Sequence, residues 1–276
     1  MLEPFSYSYM TNAMVVSAIV GALCAFLSAF LMLKGWSLIG DALSHAIVPG
    51  VAGAYMLGLP LALGAFASGG FAAAAMLFLT ARTGLKEDAV IGVVFTAFFG
   101  MGLFMISVSP TPIDVRSIIF GNILAISPED TAQLVGIGVV ALGFLLVLWR
   151  ALLAVFFDES HARSIGLNPM LLKGIFFALL AASCVAALQT VGAFLVVALL
   201  VTPGATAYLL SDRFGQILIL SVVIGAGTSF LGAYASYFVD GATGGLIICL
   251  QTLVFLAAFV FAPKHGRLAV WRASRA

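Results

Sequence analysis

The sequence predicts an all-α polytopic membrane protein, and three observations carry that prediction. Of 276 residues, 63% are hydrophobic and 8% charged, with a mean hydropathy of +1.21, whereas a soluble domain is about a quarter charged. The charges fall in short islands between apolar runs longer than the roughly 20 residues a helix needs to cross the hydrocarbon core. Those runs, such as FLVVALLV and GFLLVLW, are continuously hydrophobic. A spanning β-strand would alternate over about ten residues, so a barrel is excluded.

One membrane domain covers 1–276, with 13–262 embedded. Helices are predicted at about 13–33, 39–58, 61–81, 89–109, 131–150, 172–189, 191–210, 216–238 and 243–262. Only LQTVG separates the sixth from the seventh, and merging them gives eight spans in place of nine. MLEPFSYSYM carries an acid and no base, so no cleavable signal peptide is expected.

Charge sets the orientation, because Lys and Arg collect in cytoplasmic loops. With nine spans and the amino terminus outside, eleven of the twelve basic residues fall on the cytoplasmic side and only Arg116 on the other. The prediction is therefore amino terminus out and carboxyl terminus in, with Asp114, Glu129, Asp130 and Asp240 giving the outer loops an acidic tilt. The same model places HAIVPGVAGAYML (45–57) and its faint echo ALLVTPGATAYLL (198–210, one residue gapped) in helices that run in opposite directions. An inverted repeat of four spans, one linking span and four spans is expected from this echo.

Against so apolar a background, GDALSHAIVPG (40–50) is conspicuous. Asp41 and His45 are four apart, on one helix face, so they can reach one ion or each other. Carboxylate with imidazole is a mixed O and N donor set suited to Mn(II), Fe(II) or Zn(II). An ionisable group at membrane depth costs several kcal/mol and is kept for a pathway, a relay or a partner. Gly40, Ala42, Ser44, Ala46, Gly50, Ala52 and Gly53 would let another helix approach closely. The structural alternative is that the pair merely bonds internally, or that Asp41 caps its helix. Two ligands do not complete a coordination shell, so other helices, a second copy or water must supply the rest.

These residues carry a resemblance. GDALSHAIVPGVAGAYMLG, then IIFGNILAIS (118–127) and FFDESHARSIGL (156–167), resemble in the same order three signatures of the membrane permease subunit of ATP-binding cassette importers for manganese, zinc and iron. The similarity extends from about residue 12 to 264. It implies a permease homodimer of the cobalamin- and siderophore-importer-like fold, two cytoplasmic ATPase subunits that bind the ATP, and an extracytoplasmic solute-binding protein in the inner membrane system of a bacterium. It also places Asp41 and His45 on the path of a transported, not permanently bound, divalent metal. SPTPIDVRSIIFGNILAIS is more similar to manganese and iron permeases than to zinc ones, which ranks manganese first, iron second and zinc third.

ESHARSIG (159–166) preserves the E-x-x-A-x-x-x-G skeleton by which importer permeases engage their ATPases, within a predicted cytoplasmic loop at 156–170. Ala162 and Gly166 are expected on one flank, pressing into a partner's cleft, with Glu159 and Arg163 making polar contacts. A plain surface connection is the alternative. No G-x-x-x-x-G-K-[ST] loop exists, so ATP hydrolysis belongs to another chain, and the absence of HExxH and G-x-S-x-G removes the obvious protease and hydrolase readings. The chain is read as a transport permease, not an enzyme. An ion-coupled secondary transporter using Asp41 and His45 as a relay, and an intramembrane metalloenzyme, are the competing classes.

Cys24, Cys184 and Cys249 stand singly in apolar runs and are read as core residues. His161 and His265 are read as surface residues, and the scattered methionines suggest no copper path. The basic tail after Pro263 (263–276) is read as an anchor on anionic lipid, and no nucleic-acid partner is expected.

Overall fold

A computed structural model describes residues 3–36, 38–108, 123 and 126–262. Most of 110–125, with Asp114 and Arg116, and the tail 263–276, with His265, lie outside the described residues. After a short 3-10 turn at Glu3–Ser6 come α1 (Ser8–Lys34), α2 (Ile39–Ala46), α3 (Val48–Met56), α4 (Leu61–Arg82) and α5 (Glu87–Val108). Then follow α6 (Pro128–Phe157), α7 (Glu159–Ser164), α8 (Pro169–Val191), α9 (Ala193–Leu210), α10 (Phe214–Val239) and α11 (Thr243–Phe261). Among the described residues there is no strand.

Eight of these helices are long and apolar enough to cross a membrane. The sixth and seventh predicted spans do not merge. Gly192 separates α8 from α9 at φ 83° and ψ 161°, a conformation essentially reserved for glycine. The predicted helix at 39–58 is instead divided into α2 and α3 at Ile47, just ahead of Pro49. Proline has no N–H to give the carbonyl one turn back and its ring crowds that turn. Beside the break, Ser68 of α4 donates its hydroxyl to the carbonyl of Ala46 at 2.6 Å.

The other Pro-Gly pair behaves differently. Pro203 sits inside a continuous α9, where Ser28 of α1 supports it. The Ser28 hydroxyl accepts the N–H of Gly204 at 3.0 Å and donates to the carbonyl of Val201 at 3.3 Å. In a membrane, freed backbone groups must be satisfied by neighbours in this way. Replacing Ser28 with alanine is expected to lower stability by about 1–3 kcal/mol, the net value of two hydrogen bonds left unmade. Thermal unfolding of the purified protein in detergent checks this, and an unchanged midpoint would count against the clasp.

α1 is the most buried of the long helices and packs against α6, α8, α9 and α10. It is apolar on every side, as a helix enclosed by others should be. Its closest approach is to α10, where a Cβ added at Gly21 would stand 2.4 Å from the carbonyl oxygen of Gly225. α3 and α4 meet in the same manner at Gly50 and Gly64.

At one end of the bundle the aromatic rings of Phe30, Phe156, Phe176 and Phe214 interlock. Trp36 packs on Phe156 and Phe177 there and donates its indole N–H to the Glu87 carboxylate. The end of α1 thus meets the starts of α5 and α8 and the end of α6, which is the alternation the spans require. Two cysteines are core residues as expected, Cys24 and Cys184. Cys249 is not: it is exposed on the outer face of α11.

Candidate functional site

Asp41 lies in the first turn of α2 and His45 one turn on. With Nδ1 carrying the proton, the His45 ring donates to the main-chain carbonyl of Asp41 at 3.0 Å, and the same nitrogen is 3.2 Å from Asp41 Oδ1. The two side chains therefore meet each other, as the four-residue spacing allows. Their separation has a second meaning. Two ligands each held about 2.1 Å from an octahedral cation are about 3.0 Å apart, so an ion can take the place of the Nδ1 proton with little movement of either group.

Access supports this. The Asp41 and His45 side chains are 42% and 32% exposed, and both line a cavity of about 570 Å³. Its opposite wall is the first half of α9, with Phe194, Val197 and Val201. Among the lining residues only Asp41 and His45 ionise. Gly40 sets the spacing of the two walls, because a Cβ there would come within 2.7 Å of Leu200. Behind the pair, Ser44 donates its hydroxyl to the carbonyl of Gly40 at 2.8 Å.

Phe95 and Phe99 of α5 complete the surroundings, with ring centroids 5.5 and 5.1 Å from that of His45. Sequence reasoning did not single them out. Their spacing marks one helix face, yet phenylalanines four apart in an apolar helix read equally well as lipid-facing. Among the described residues no group of three or more His, Cys, Asp or Glu could hold a metal ion. The chain offers two donors here.

The second expected site is a separate feature. Asp158 caps α7, its Oδ1 accepting the backbone N–H groups of Ser160 at 2.8 Å and His161 at 3.1 Å. Glu159 is paired with Lys173 of α8 and lies 3.8 Å from Arg163. Gly166, at φ 84°, ends the turn and stays exposed. Ala162 does not share its flank: the residue is fully buried in the chain's own core. The surface this segment offers is made instead by His161, Arg163 and Ile165, all exposed. His161 is thus a surface residue, as expected.

Comparison with known proteins covers nearly the whole chain. The chain is 63% identical to the chelated iron transport system membrane protein YfeC of Yersinia pestis, over 98% of this chain and 92% of that one. It is 46% identical to the manganese transport system membrane protein MntB of Synechocystis, over 99% and 89%. The solved structure of PsaBC from Streptococcus pneumoniae in complex with Fab matches at a TM-score of 0.83 and 34% identity, covering 96% of each chain. The model of the ABC 3 transport family matches residues 6–262, and the chain belongs to that family.

Proposed function

We propose that this chain is the permease subunit of an ATP-driven importer that moves a divalent transition metal across the bacterial cytoplasmic membrane. The observation that carries the reading is the Asp41–His45 pair, preset at 3.2 Å on an open and otherwise apolar cavity. A solute-binding protein releases the ion from the outer side, with the amino terminus outside and the carboxyl terminus in the cytoplasm. The ion enters between the carboxylate and the imidazole and takes the Nδ1 lone pair, the ring's proton then standing on Nε2. Two donors hold an ion only weakly, so a second copy of the chain, related by a twofold axis, supplies the same pair from the facing side. A transient site of this kind suits passage better than storage.

Energy arrives through separate ATPase subunits at 156–170. Glu159, tied to Lys173, and Gly166 fix the shape of that segment, and Ala162 anchors it to the core so that movement of a partner is passed on to α6 and α8. The O and N donor set suits manganese and iron alike, and the names of the relatives divide between those two metals. Manganese remains the first candidate, iron the second and zinc the third.

Uptake of radioactive manganese into proteoliposomes tests the reading, with the permease alone and with its co-purified ATPase, and with unlabelled iron and zinc as competitors. Uptake that requires ATP and the partner, competed by iron more strongly than by zinc, is expected. Uptake by the chain alone, driven by a proton gradient, would overturn it.

A further inference from the structure

The imidazole of His45 is held on two sides. Phe95 and Phe99 stand one turn apart on α5 with their rings nearly parallel, 5.8 Å apart and 8° from coplanar orientation. The imidazole is perpendicular to both, at 89° and 90°. On the α2 side, its Nδ1 faces both the main-chain and the carboxylate oxygen of Asp41. The second side-chain torsion of histidine is intrinsically broad, so a ring plane is fixed only by what packs against it. Two perpendicular aromatic contacts do fix a plane, because turning the ring would break both at once.

We propose that Phe95 and Phe99 are positioning residues for metal capture: they hold the plane of the His45 ring in which Nδ1 meets the Asp41 oxygens, so that the 3.2 Å bite exists before the ion arrives. The proposal rests on the reading of Asp41 and His45 as metal donors. Without the wall the ring plane turns freely, and Nδ1 lies out of line with the carboxylate for part of the time. The incoming ion must then order the ring itself, and that cost appears as weaker capture.

Phe99→Leu keeps apolar bulk but removes the plane, and Phe99→Tyr keeps the plane. In the complete transporter in proteoliposomes, Phe99→Leu is expected to raise the KM for manganese about tenfold, the scale of losing a group that orients a ligand, with the maximal rate within about twofold of wild type. Phe99→Tyr is expected to match wild type in both. Phe95→Leu is expected to behave as Phe99→Leu does, and serves if that variant fails to assemble. Manganese titration of the solubilised complex by electron paramagnetic resonance supplies the second readout. There Phe99→Leu should weaken binding in the wild-type background and add nothing in a His45→Ala background. A wild-type KM in Phe99→Leu beside an inert His45→Ala would overturn this proposal alone, as would equal weakening in both backgrounds or a fall in maximal rate at constant KM. Wild-type uptake by His45→Ala would overturn it together with the reading beneath it.

Discussion

Replacing His45 with alanine is expected to lower metal uptake at least a hundredfold while the permease still assembles with its ATPase. The expectation follows from scarcity. The cavity beside α2 has two ionisable groups, and removing the imidazole leaves an isolated carboxylate against Phe194, Val197 and Val201. Losing a group that merely orients a metal ligand already costs about 10–100-fold, and His45 is proposed as the ligand. Asp41→Asn is the milder change, with an expected loss of about 10–100-fold, because its amide oxygen can still face Nδ1 but carries no charge. The basal ATPase rate of the complex provides the control. Uptake by His45→Ala within a few-fold of wild type, at normal ATPase activity, would remove the pair from the path.

The second large effect is expected at the end of the bundle that carries α7. Ile165 is 56% exposed beside Arg163 and Gly166, whereas Ala162 is fully buried. A charge introduced at each should fail for different reasons. Ile165→Asp is expected to weaken ATPase binding tenfold or more and leave thermal stability unchanged, since only the face offered to a partner is altered. Ala162→Asp buries a carboxylate in an apolar core, a cost of several kcal/mol, and is expected to lower the unfolding midpoint before any question of binding arises. Co-purification yield and thermal unfolding, measured on both variants, separate the two. Normal ATPase binding by Ile165→Asp would mean that the docking surface lies elsewhere.

Much of this was legible in the sequence because a bilayer leaves few choices. Spans such as α6, α8, α10 and α11 are long apolar runs bounded by charge, glycine or proline, and only their ends moved, as where α6 continues to Phe157. The broken second span was less legible although Pro49 was in plain view. Pro203 occupies a similar motif, yet α9 passes through it, and the backbone beside each proline is met by a different neighbour: Ser68 on α4 in one case, Ser28 on α1 in the other. Neither serine is near its proline in sequence. Asp41 and His45 stood out because charge is rare in this chain. Phe95 and Phe99 did not, since they are two of 23 phenylalanines and only the tertiary contact sets them apart. The skeleton at 159–166 was visible, but not which side of it faces inward, because Lys173 of α8 claims Glu159 and turns the segment.

The central place of α1 bears on how the chain is made. α1 leaves the ribosome before the helices that enclose it, and its closest neighbours, α9 and α10, come from residues 193–239. Until that part is synthesised, Gly21 and Ser28 have no counterparts and α1 must wait in lipid or against the insertion machinery. Contacts so distant in sequence are slow to form and leave early segments open to wrong pairing. The absence of a polar face makes the wait tolerable, because lipid tails are as apolar as the side chains that later enclose the helix, and only the packing and the Ser28 bonds are still to be gained. The final assembly of the amino-terminal helix is thus deferred to the last third of translation.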